Sequence, residues 1–200
     1  VNNALSRTAL RLSVFLAVFV FEPAHAETAT GGGRVKQAVI DEVKAYLASD
    51  IVQFSVRDQN KKYKNRTRDD IEALDDQWRA ESQASAKPLI SATLSNPLSA
   101  YLTRIQAHSG GLFTEIFVMD DKGLNVGQSS ISSDYWQGDE AKWQKTYAAG
   151  AGAIFVDEPE WDADSRTWRI QVNVSVDDVD TNRAIGAATF EVNLTEMQRR

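Results

Sequence analysis

The chain has no cysteine and only two histidines, His25 and His108, so any chemistry it does falls to carboxylates, hydroxyls, amines and guanidiniums. That excludes a disulfide, a thiol nucleophile, a Cys-ligated zinc and an iron–sulfur cluster. A Ser-His-Asp triad would need His108, and a site with several His ligands is impossible. Carboxylates are plentiful, at 28 Asp and Glu. Asp162-Ala163-Asp164-Ser165 opens like a calcium loop. The sixth position is Thr167 and the twelfth Asn173, however, where that loop needs Gly and Glu. Asp157, Glu158 and Glu160 remain as a cluster suited at most to a weak cation site. No acid stands in a spacing that demands glycosidase-type catalysis. The expectation is a protein that is not an enzyme and needs no cofactor. Arg57 to Arg68 (RDQNKKYKNRTR) sets six basic residues against one acid. It reads either as an anion or membrane-surface patch or, the favoured reading, as a solvated segment between helices.

The N-terminus reads as an export signal. Residues 1–11 carry Arg7 and Arg11 and no acid, Leu12 to Phe21 is an apolar run of ten, and Ala24-His25-Ala26 supplies the small-residue cleavage pattern. The run is short of the roughly 20 residues that a membrane helix needs, which favours cleavage over an uncleaved anchor. The expected organisation is a signal peptide over 1–26, a Gly-rich linker over 27–33 and one domain over 34–200 in the periplasm or outside the cell. Removing Arg7, Arg11 and Glu22 leaves 20 basic and 27 acidic side chains, a net charge of −7. Such a surface repels phosphate backbones, so nucleic acid is not an expected partner.

Val35, Val39, Val43, Leu47, Ile51 and Phe54 draw one stripe along a helix of about 20 residues from Arg34. Thr67 and Asp70 suit a helix start, with Ile71, Leu74 and Trp78 on the buried face and an end near Ala86, before Pro88. A further helix is capped by Asn96, carries Pro97 in its first turn and stops at Gly110-Gly111, which makes His108 a helix-terminal residue. Beyond Gly111 the period becomes two. Phe113–Met119, Leu124–Gln128, Gly152–Asp157, Trp168–Val176 and Ala184–Leu194 read as strands, the first two joined by the turn Asp120-Asp121-Lys122-Gly123. Helices followed by antiparallel strands make an α+β layout.

The aromatic residues concentrate between the second and third strands, from Ser133 to Tyr147. The runs Glu115 to Gly123, Asp134-Tyr135-Trp136-Gln137-Gly138-Asp139-Glu140, Trp161-Asp162 and Ile185-Gly186-Ala187 resemble the extracytoplasmic PDC-type Cache sensor domain, here in a standalone secreted form. The resemblance covers about residues 34–196. It implies a PAS-like, five-stranded antiparallel sheet with the long N-terminal helix packed on one face and a small ligand held over the other. On that second face it places Arg169, Gln171, Asn173 and Thr189. Tyr135, Trp136 and Trp143 are then the expected aromatic walls. The resemblance also puts Asp162 where relatives meet a ligand amine, and points to Asp177 as a second carboxylate.

The function this implies is the sensing of a small polar metabolite, with an amino acid as first choice because Arg169 and Asp162 would meet its two charges. A membrane receptor or kinase would read the bound state. The alternative is an interaction module of the same fold that binds no ligand and docks on a membrane signalling partner. The part of the first helix that reaches past the sheet is expected to pair with another copy into a homodimer. Processing is directly measurable: the exported protein should begin at Glu27, and an intact mass that retains residues 1–26 would make it an anchored protein instead.

Overall fold

The computed structural model describes residues 35–200; the signal segment, the linker and His25 lie outside the described residues. The order is α1 (Gln37–Leu47), α2 (Asp50–Tyr63), α3 (Arg68–Gln83), α4 (Pro88–Leu94), α5 (Pro97–His108), β1 (Phe113–Met119), β2 (Asn125–Gln128), α6 (Ala141–Gln144), a 3-10 turn (Tyr147–Ala149), β3 (Ile154–Val156), β4 (Glu160–Asp162), β5 (Thr167–Asp177), β6 (Ala184–Asn193) and α7 (Leu194–Arg199). Among the described residues no helix is long and apolar enough to cross a membrane.

The sheet is antiparallel and runs β2-β1-β6-β5-β3, with β4 also pairing to β5, so two short strands share one edge. Alternation sorts its residues. Ile170, Val172, Val174 and Val176 of β5 and Ala188, Phe190 and Val192 of β6 join Ile116 and Val118 of β1 against Val39, Val43, Val52, Val56 and Leu102 of the helices. This is the main core. A second cluster lies beside it, where Ile71 and Trp78 of α3 and Ile90 of α4 meet Leu124, Tyr135 and Trp136. The opposite sheet face carries Phe117, Met119 and Ala187, covered by Trp143 and Tyr147.

Several expected elements take a different form. The single long helix is two, because Ser49 adopts an extended backbone (ψ 146°) and its hydroxyl bonds back to the Tyr46 carbonyl, ending α1 while Asp50 opens α2. The basic run is half helix: α2 continues through it to Tyr63. Beyond the five expected strands there is a sixth, β4; α4 and α7 were not expected either. The Thr67 cap is as expected, with the Thr67 hydroxyl accepting from the Asp70 N–H and the Asp70 carboxylate from the Thr67 N–H.

The apolar stripe assigned to self-association is spent inside the molecule. Val35 and Val39 are 3% and 6% exposed within the main core. Charge at these sites therefore acts on folding. Val39→Asp should cost several kcal/mol by burying an unpaired carboxylate, seen as a collapse of the urea midpoint; a change in light-scattering mass at unchanged stability would contradict this packing.

Candidate functional site

A cleft of about 170 Å³ opens on the sheet face away from the main helices. Its floor is Arg169, Gln171 and Glu191 of β5 and β6, its roof Glu140, Ala141 and Lys142, and its wall Asp157, Glu158 and Glu160. The volume equals that of roughly five or six water molecules, so it suits a small metabolite and not a drug-sized ligand.

Arg169 ties the floor together. Its guanidinium bonds Asp162 of β4 at 2.8 Å and Glu191 of β6 at 3.0 Å, and also donates to the Ser165 hydroxyl. Its Nε is buried and has no acceptor. Asp162 in turn holds the β4–β5 turn, accepting from the Ser165 N–H at 2.7 Å. That N–H, then the Ser165 hydroxyl and Arg169, hold the Asp162 carboxyl below its ordinary range. Glu115 and Glu191 sit directly opposite each other across β1 and β6. Burial first, and the Glu191 charge second, push the Glu115 carboxyl up. Lys142 bonds Glu140 at 3.0 Å and stands over the Phe117 ring.

The six residues singled out in the sequence fall into four places. Arg169 lines the cleft with Asp162 bonded beside it, so the two charges expected to take a ligand's ends already pair with each other. Trp143 covers the neighbouring half of the same face, packed on Tyr147 at 5.0 Å between ring centroids. Tyr135 and Trp136 are on the helical side. Tyr135 stacks on Trp78 at 5.3 Å, and the backbone N–H groups of Tyr135 and Trp136 both donate to Asp75 of α3. Asp177 is at the far end of β5 from Arg169, about 26 Å along the strand at 3.3 Å per residue, where it accepts from the Gly152 N–H. Of the other second-face residues, Gln171 lines the cleft, whereas Asn173 and Thr189 are buried and bonded to each other at 2.7 Å. The roof residues Glu140 and Lys142 were missed, because a four-residue helix gives no periodic signal of which side chains face the sheet. Among the described residues no group of three or more potential ligands could hold a metal ion.

What fixes the loop over both sides is the turn after β1. The Asp120 carboxylate accepts from the Lys122 and Leu124 N–H groups and from the Gln59 amide, each at 2.9 Å. The 120–123 carbonyls then take the loop: the Trp143 indole N–H on Asp120, the Trp136 indole N–H on Lys122 and the Gln137 N–H on Gly123. Gly123 has φ +83°, and an added Cβ would lie 2.5 Å from Gly138. Within the string that resembled the sensor family, Trp136, Gln137 and Gly138 are the residues that dock on this turn.

No protein-family model matches the chain, and no curated protein does. Solved structures do. The ligand-binding domain of the Pseudomonas aeruginosa PAO1 amino acid chemoreceptor PctC, in complex with GABA, aligns with 81% of this chain and 63% of its own length at 16% identity and a TM-score of 0.36. The sensory domain of the Campylobacter jejuni chemoreceptor Tlp3 aligns with 82% of this chain and 64% of its own length at 12% identity and 0.39. The sensor domain of the Vibrio cholerae histidine kinase DctB aligns with 82% and 59% at 13% and 0.36. The chain therefore spans less than two thirds of the length of each. All three are sensory or ligand-binding domains, the kind that the Asp134 to Glu140 string resembles.

Burial pushes Asp120 up to about 6 in spite of its three donors. A folded-state value above the ordinary 3.8 means that the ionised carboxylate weighs against the fold above pH 6. As pH falls through 6 toward 4 the folded protein takes up the proton first and this group adds stability. Asp162 and Asp178, held low, act in the opposite direction. Carboxyl NMR should give an Asp120 midpoint near 6, and Asp120→Asn should remove a gain in urea stability between pH 7 and 5 that the unmodified protein shows. A midpoint below 4 would contradict the assignment.

Proposed function

We propose that the domain senses a small polar metabolite bearing an ammonium group, amino acids included, outside the cytoplasm, and that a membrane receptor or kinase reads its occupied state. The observation that supports this most is the charge of the cleft. Its two cations, Lys142 and Arg169, are each matched by a bonded carboxylate, while Asp157 and Glu160 add further negative charge to the wall. A ligand ammonium lowers this excess and the Glu115–Glu191 repulsion at its base. An amino acid's carboxylate has Lys142 in the cleft roof to meet. Site roles follow for Arg169 and Asp162 at the floor and Trp143 as neighbouring cover. Tyr135, Trp136 and Asp177 do not line this cleft.

One observation favours the second reading, a docking module without ligand. Trp161 and Trp168 pair across β4 and β5 at 5.6 Å, with 52% and 50% of their surfaces exposed on the hairpin that borders the cleft.

Thermal-shift and calorimetric titration with amino acids, diamines and carboxylates of matched size separate the two. Compounds with an ammonium group should raise the melting temperature and those without should not. Glu160→Gln or Glu191→Gln should weaken binding roughly tenfold, about 1.4 kcal/mol. Arg169→Ala should weaken binding and also lower the ligand-free melting temperature, because it releases β4 and β6 from β5. A flat response across the panel overturns the sensing role and leaves the docking module.

A further inference from the structure

A larger hollow lies elsewhere among the described residues. Between α2, α4 and the start of α5 runs a groove of about 370 Å³, more than twice the cleft and within the roughly 300–1,000 Å³ of small-molecule sites. Ile51, Leu89, Pro97 and Val126 line it, and Phe54 stands at its mouth with 70% of its surface exposed. At the inner end the Tyr135 hydroxyl is hydrogen-bonded with Tyr63 and Thr93, and burial pushes that phenol's proton loss further out of reach. These hydroxyls already have partners. The inner end therefore asks nothing polar of an occupant, and a polar head is best placed at the mouth.

The mouth carries Asp58 and Lys62. The basic run around them divides by residue type. Arg57 bonds Asp178 and Asp180, Arg66 pairs with Asp70, and Arg68 pairs with Glu72 while lying over the Trp136 ring. Its arginines are consumed by the fold. Lys61, Lys62 and Lys64 make no ion pair among the described residues and outnumber Asp58, all within about one Debye length of the groove. A protein of net charge −6 thus places three lysines without ion pairs, Lys62 and the adjacent Lys61 and Lys64, at one end of a largely apolar groove.

We infer that this groove is a second binding site, for a small amphiphile with an apolar body and one anionic head, such as a medium-chain carboxylate. The apolar chain lies along Ile51, Leu89 and Val126 and covers the exposed Phe54 ring, and the head meets Lys62. The volume, equal to about twelve water molecules, limits the body to a single short chain or ring. The site is independent of the amine-binding cleft on the other side of the sheet.

Calorimetry on the exported chain tests it, with octanoate as probe and octylamine and acetate as controls. Octanoate should bind at one site below its micellar concentration; octylamine should bind at least tenfold more weakly, and acetate not at all. Lys62→Glu should weaken octanoate at least fivefold. Ala92→Trp, at an exposed position of α4 on the groove wall, should abolish binding while the melting temperature and any amine binding at the cleft stay as they were. Arg169→Ala should leave octanoate affinity unchanged. Equal affinity for octanoate and octylamine, survival of binding in folded Ala92→Trp, or no octanoate binding would each overturn the proposal.

Discussion

Asp120 has no exposed surface, and a carboxylate removed from water must be hydrogen-bonded or give up its charge. Its oxygens close their own turn through the Lys122 and Leu124 N–H groups and reach across to Gln59 on α2. The turn's outward carbonyls are then free to receive the indoles of Trp136 and Trp143. One residue thereby joins three layers: the helix that lines the amphiphile groove, the β1–β2 hairpin, and the loop whose short helix roofs the cleft. Burial outweighs the hydrogen bonds there, which is why the carboxyl is raised to about 6 and not higher.

The strands were legible because alternation in β5 and β6 is unbroken, and a two-residue period leaves few ways to be wrong about which side chains share a face. Ser49-Asp50 was a readable helix start, but the continuous stripe from Val35 to Phe54 masked it, since two helices in line on one core keep nearly the same periodicity. The candidate site was legible only where it lies on strands. Arg169 and Gln171 follow from alternation. The side on which Tyr135 and Trp136 finish does not, because it is decided by Asp75 and Trp78 some 60 residues earlier, contacts that no local pattern announces.

Charge is distributed with the same economy on both faces. Arginines are used as multi-point ties: Arg57 bonds two carboxylates of the β5–β6 turn, and Arg79 and Arg169 each bond carboxylates on different segments, which suits the planar fork of the guanidinium. Lys61, Lys62 and Lys64 of the same basic run make no ion pair among the described residues. A basic run in the sequence is therefore two things at once, a set of internal fasteners and a set of solvated charges, and composition alone cannot separate them.

The strand order has a consequence for how the molecule comes into being. β6 is the last strand in the chain, yet it lies in the middle of the sheet, pairing with β1 through Phe117 opposite Thr189 and with β5 through Val172 opposite Phe190. Five helices precede every strand, and the main core that α1, α2 and α5 share with the sheet includes Ala188, Phe190 and Val192 of β6. Nothing short of the nearly complete chain can close the core, and the β1–β6 contacts span long stretches of sequence. Closure of the main core therefore waits on the last strand to be made, and partly made chains leave the apolar faces that it covers open to water.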